Sequence, residues 1–179
     1  MTDDEKIEAI IYSLTTHALG DIRRASEGKS KMGAFILCSC LIDALSGFEK
    51  GSDTQGADYI SFVGKRLASY NGSDLYKDLR CKLVHSYSEG GSYSFVDAEP
   101  QLHGATHGGR IVINLENFIA EVQGALEAFA TDIRGADVTL RGKALARLNS
   151  NGVIGVGVAQ VVSLPQNTST TTATISGAT

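Results

Sequence analysis

In the stretch DLRCKLVHSY, residues 78–87, two side chains five positions apart have types that suit catalysis: Arg80 and His85. A histidine changes charge near neutral pH, so it can give or take a proton during a reaction. A guanidinium is always charged and presents a planar fork of donors, which matches the oxygens of an anion. Together the two supply acid–base chemistry and stabilisation of developing negative charge. Each also has a plain structural role open to it. Arg80 can pair with Asp43 or Glu49 on a neighbouring helix, and His85 can close a helix whose C-terminal dipole favours a cation.

Other candidate groups are weaker. His103 and His107, in LHGATHGGR, are four apart like two ligands on one helix turn, but the glycines around them argue against a helix and no third ligand follows. Cys38 and Cys40, two apart on a helix, point about 200° from each other and read as small buried hydrophobes rather than ligands or a disulfide. The glycines of GVIGVGV lack the strand–turn–helix setting of a dinucleotide fingerprint. No metal and no other cofactor is expected.

The elements that must position Arg80 and His85 are mostly helical. Thr2 and Glu5 have capping-box spacing, Asp3 and Asp4 suit a helix N-terminus, and Ile7, Ile10, Ile11 and Leu14 form an amphipathic stripe. Ser30 is placed to cap KMGAFILCSCLIDALSGFEK, which is apolar on nearly every side, ends at Gly51 and belongs at the centre of a bundle. ADYISFVGKRLASY gives a third helix that Asn71-Gly72 stops. Ser73 or Asp74 is placed to cap a fourth, which carries the motif and ends at Glu89-Gly90-Gly91. SYSFVDAEP and RIVINL read as a β-hairpin with a long glycine-bearing tip. Asn114 is placed to cap a last long helix. The fold expected is mainly α: an antiparallel four- to five-helix bundle over residues 1–137, with the hairpin inserted before the last long helix. A basic and apolar appendage over 138–164 and a Thr- and Ser-rich, disordered tail over 165–179 complete the division.

Composition narrows the partners. The chain has 179 residues, room for one core, with 42% hydrophobic and 20% charged residues and a net charge of −4. Residues 138–179 contain Arg141, Lys143 and Arg147 and no acidic side chain, so the remainder sets 13 basic against 20 acidic groups. Any contact with a phosphate backbone is therefore local rather than a broad basic face. The acidic start, MTDDEK, lacks the basic opening of a signal peptide, and no apolar run reaches the roughly 18 residues of a membrane span. A cytoplasmic location without a membrane partner is expected.

The arginine, four residues and histidine of Arg80–His85, set on a bundle helix beside an apolar helix carrying Asp43, resemble the HEPN superfamily (higher eukaryotes and prokaryotes nucleotide-binding domain). The resemblance spans roughly residues 3–135 in helix order. It implies a metal-independent endoribonuclease, often a bacterial toxin or anti-phage effector with a cognate antitoxin or regulatory protein, with Arg80 and His85 catalytic and Asp43 supporting them. Lys82 and Tyr87 would then contact RNA, one through a phosphate and the other by stacking. The residue types fit: metal-free RNA cleavage must deprotonate a 2′-hydroxyl, protonate the leaving 5′-oxygen and stabilise a charged phosphorus intermediate. Cys81 departs from the Asn, Asp or His that frequently follows the arginine in active relatives. On a regular helix five residues rotate about 140°, so Arg80 and His85 diverge unless the helix loosens near Ser86 or two subunits bring their motif helices together. Relatives usually take the second route, which implies a homodimer.

Overall fold

The computed structural model describes residues 1–135 and 137–155. The Thr- and Ser-rich tail and most of the apolar run that precedes it lie outside the described residues. The chain is mainly helical, with a small three-stranded sheet.

Helix α1, Asp3–Tyr12, starts with the expected reciprocal cap: Glu5 N–H donates to Thr2 Oγ1 at 3.2 Å, and Thr2 N–H to Glu5 Oε2 at 2.7 Å. It passes through a π-helical stretch, Ser13–Ala18, into α2, Leu19–Glu27. Helix α3, Lys31–Lys50, ends at Gly51 in the left-handed region as expected, but Ser30 makes no side-chain capping bond at its start. By length and composition α3 is apolar enough to cross a membrane, with a mean hydropathy of 1.5, yet 56% of its most apolar window is buried in the protein. Its apolar faces are spent on neighbours, because α3 packs against α2 and most of the helices described below. Phe35 of α3 meets the Phe95 and Phe118 rings at centroid separations of 4.9 and 5.8 Å. Burying each such side chain is worth about 1.5–3 kcal/mol.

Helix α4, Gly56–Arg66, is shorter than its sequence pattern predicts. Asn71 does not stop it; its side chain instead accepts from Asp74 N–H and caps the next helix. That helix runs as α5 (Gly72–Leu75), a π-helical stretch (Tyr76–Leu83) and α6 (Val84–Ser86). It ends at Tyr87, before the glycines expected to end it: Tyr87 is left-handed (φ +47°) and its N–H donates to Leu83 O at 3.0 Å.

The sheet corrects the expected hairpin. Strands β1 (Tyr93–Val96) and β3 (Arg110–Asn114) run parallel, with Tyr93 opposite Ile111 and Phe95 opposite Ile113. A parallel pair needs a crossover. Here a 3₁₀ turn, Pro100–Leu102, and strand β2, Thr106–His107, supply it. The hairpin is β2–β3, closed by Gly108 and Gly109 at φ +57° and +78°, a two-residue turn that side chains would strain. Asn114 caps α7, Leu115–Arg134, by accepting from the Glu116 and Asn117 amides. Helix α8, Val138–Asn151, falls in the segment that the sequence sets apart, but it buries Leu140, Ala144 and Leu148 in the same core.

Candidate functional site

Arg80 lies inside the π-helical stretch and His85 just past it. Val84 N–H reaches back five residues to Leu79 O, so the backbone takes the wider i→i+5 turn here. Five residues then make close to one full turn, and the two side chains come together on one face. Arg80 Nη1 stands 3.0 Å from His85 Nε2. The loosening lies before His85, not near Ser86, and it joins the pair within one chain. The geometric reason for a second subunit falls away.

Asp43 comes to the pair from α3. Its Oδ2 accepts from Arg80 Nη2 at 3.3 Å, and both side chains are 26% exposed. Of the two ion-pair partners open to Arg80, the fold selects Asp43, because Glu49 is held by Arg66 and, at 3.2 Å, by Lys65. Arg66 is only 5% exposed, also reaches Asp132 and lies over the Phe62 and Phe129 rings, so its geometry is set by the core. Asp43 is oriented in turn by Thr54, whose hydroxyl donates to Oδ1 at 2.7 Å. Thr54 is on the turn between α3 and α4. No sequence pattern singled it out, since the contact exists only once that turn folds back along α3.

The cysteines divide as helix geometry requires, Cys38 buried and Cys40 exposed, which corrects the expectation that both are buried hydrophobes. Although Cys40 meets solvent, partial desolvation by its neighbours pushes its thiol up, and the Arg80 guanidinium partly opposes that effect. The Tyr76 ring packs against Tyr59 at 5.5 Å, and burial followed by the neighbouring Cys81 raises its hydroxyl pKa.

Lys82 is engaged elsewhere. Its ammonium donates to Asp78 Oδ1 at 3.2 Å and to Gly90 O at 3.0 Å. Asp78, 3% exposed, also accepts from the Ser92 amide at 2.6 Å and the Tyr93 amide at 3.2 Å, so it joins the motif helix to β1. Gly91, at φ +102°, lets the chain pass this carboxylate; a Cβ there would lie 2.1 Å from Asp78 Oδ1. Glu89 continues the pattern by accepting from the Phe95 amide at 2.7 Å, so carboxylates cover the outer edge of β1. Asp78 was legible only as an i,i+4 partner for Lys82. Its burial was not. Tyr87 is 71% exposed, so its ring is open to solvent two residues beyond His85.

The histidines of the glycine-bearing loop are separated in role. His103 Nδ1 accepts from the Asn114 amide at 3.1 Å, which leaves Nε2 as the protonated nitrogen facing Tyr70 Oη at 3.2 Å and Glu121 at 3.5 Å. It fastens the loop to α7. His107 is exposed on β2. Among the described residues no group of three His, Cys, Asp or Glu side chains is placed to hold a metal ion. The basic segment is largely committed as well: Arg141 pairs with Asp4, and Arg147 reaches Asp53 while covering the Phe48 ring.

The arrangement is an acceptor nitrogen on an exposed imidazole beside a guanidinium held from behind by a carboxylate. Chemically it can accept a proton and stabilise an adjacent oxyanion. In comparisons with known proteins, the chain matches no family model, no curated protein and no solved structure.

Proposed function

We propose that the chain is a metal-independent endoribonuclease of HEPN type, its helices forming the antiparallel bundle of that superfamily. One observation carries this reading: the 3.0 Å approach of Arg80 to His85 on an accessible helix face. In this reading His85 Nε2 takes the proton of a 2′-hydroxyl, the 2′-oxygen bonds to phosphorus, and the P–O5′ bond breaks. The 5′-oxygen leaves with a proton drawn from water while the His85 imidazolium returns its proton to solvent, giving a 2′,3′-cyclic phosphate and a 5′-hydroxyl end. Arg80 steadies the phosphoryl oxygens, Asp43 holds Arg80, and Tyr87 offers its exposed ring to a base. Lys82 supports the helix end through Asp78. No metal or cofactor takes part. A cytoplasmic toxin or anti-phage effector, a homodimer packed through the motif helix, and a cognate antitoxin or regulatory protein as partner complete the reading; these rest on the resemblance.

A second reading has its own observation. Arg80 already has Asp43 and His85 as acceptors, an arrangement also suited to a silent module that binds RNA, a nucleotide or a protein without cutting. Varied RNAs incubated with the purified chain in chelator separate the two readings. Cyclic-phosphate ends that disappear in both Arg80→Ala and His85→Ala support the nuclease. Intact RNA, or cleavage by His85→Ala at the wild-type rate, removes it in favour of binding. Light scattering at micromolar concentration tests the dimer, and a monomer mass would exclude it.

A further inference from the structure

Three elements converge on Arg80, and the contact from the α3–α4 turn has no role in the reading above. Thr54 donates to one oxygen of Asp43 at 2.7 Å, while the other oxygen accepts from Arg80 Nη2 at 3.3 Å. Arg80 Nη1, the other arm of the fork, points to His85 Nε2 at 3.0 Å. The two arms differ in kind. One is bound to a carboxylate whose plane a hydroxyl fixes; the other is bound to an exposed, neutral ring nitrogen. A phosphate oxygen is a charged acceptor and outcompetes a neutral one for a guanidinium N–H.

We propose that Thr54 is a positioning residue: by holding Asp43 it fixes one arm of Arg80, and leaves the other arm to exchange between His85 and an oxygen of a bound phosphate group. The ligand class is thus a phosphate monoester or diester, and its arrival releases the His85 Nε2 lone pair at the moment a proton acceptor is needed. The inference rests on the Arg80–His85 site being the functional one, but not on RNA cleavage. Without Thr54, Asp43 can rotate away, and Arg80 loses the anchor that keeps its free arm in place.

The test is nitrogen-15 NMR of the histidine-labelled full chain at about pH 8, where an ordinary imidazole is neutral, with inorganic phosphate as the probe. The His85 signals are assigned by their loss in His85→Gln. In the wild type, Nε2 is expected as the hydrogen-bonded acceptor and its signal to move as phosphate is added. Thr54→Ser keeps the hydroxyl and should reproduce this behaviour. Thr54→Val should mix the two His85 tautomers before any phosphate is added and raise the phosphate concentration at half-effect about tenfold, the worth of one hydrogen bond. Asp43→Asn, which removes the charge with little change of shape, should do the same and serves if Thr54→Val fails to fold. Wild-type spectra and phosphate response in folded Thr54→Val or Asp43→Asn would overturn the proposal. So would a wild-type His85 signal indifferent to phosphate. Absence of RNA cleavage alone leaves these readouts intact and counts only against the nuclease.

Discussion

Arg80 Nη1 faces His85 Nε2 at 3.0 Å, and because a guanidinium has only donors, the imidazole nitrogen it meets is an acceptor. The pair is therefore set with the His85 proton on Nδ1 and the Nε2 lone pair engaged by Arg80. Arg80→Lys keeps the charge but loses the fork, so it cannot hold Asp43 and His85 together. If the proposed nuclease reading holds, RNA cleavage by Arg80→Lys is expected to fall about 100-fold or more, in the range seen when one stabilising donor is removed. Its urea midpoint should stay nearly unchanged, because lysine keeps the charge and an ion pair still reached by solvent, 26% exposed on both sides, contributes about 0–1 kcal/mol. Full activity in Arg80→Lys would show that bidentate contact is not used.

Asp78 is the structural partner of this helix. It accepts from the Ser92 and Tyr93 amides and from Lys82 while nearly fully buried. Asp78→Ala takes away the acceptor of the Ser92 and Tyr93 amides, and a loss of about 2–4 kcal/mol is expected by urea denaturation. Lys82→Met removes only the exposed partner and should cost under about 1 kcal/mol. The order of these two losses checks which residue holds β1 to the motif helix.

Tyr87 adopts φ +47° at the end of the motif helix, a conformation that costs a side-chain-bearing residue about 1–2 kcal/mol relative to glycine. Its ring is exposed, so truncation removes little packing. Tyr87→Gly is therefore expected to raise stability by about 1 kcal/mol in urea titration. If the ring stacks a base, the same variant binds single-stranded RNA about tenfold more weakly, since each such stack is worth about 1–3 kcal/mol. Opposite signs for stability and binding would mark strain retained for function.

Asp58 gives the pH dependence. Its carboxylate accepts from Lys50 at 2.7 Å and from the Gln55 amide at 2.8 Å, and these bonds, Lys50 first, hold its pKa below the ordinary carboxylate value. A group depressed in the folded state stabilises fully above its unfolded pKa and loses that contribution as pH falls through the folded one. The loss thus falls below about pH 4. Asp58→Asn is expected to lower stability at neutral pH and to flatten its fall below about pH 4. Parallel wild-type and variant curves across that window would refute the linkage.

Some of this molecule is written in local sequence. The Thr2–Glu5 capping box, the Asn114 cap and the Gly51 stop were legible because each depends on residues within one helical turn. The apolar period of α7 and the all-round apolarity of α3 likewise placed the core, because burial follows periodicity. Arg80, His85 and Asp43 were legible as types, and Asp43 as one of two partners open to Arg80. What local sequence could not give was decided by contacts between distant segments. Asn71 caps rather than stops, because the chain past Arg66 turns toward the motif helix. Strands β1 and β3 are parallel because the crossover through Pro100–Leu102 and the Gly108-Gly109 turn sets their direction, and strand composition is the same for either pairing. Above all, the residues between Arg80 and His85 have no pattern that distinguishes an α turn from a π turn. The i→i+5 geometry occurs where the helix packs against α3 and Asp78 ties it to β1, and it brings a pair that would diverge on a regular helix to a 3.0 Å contact.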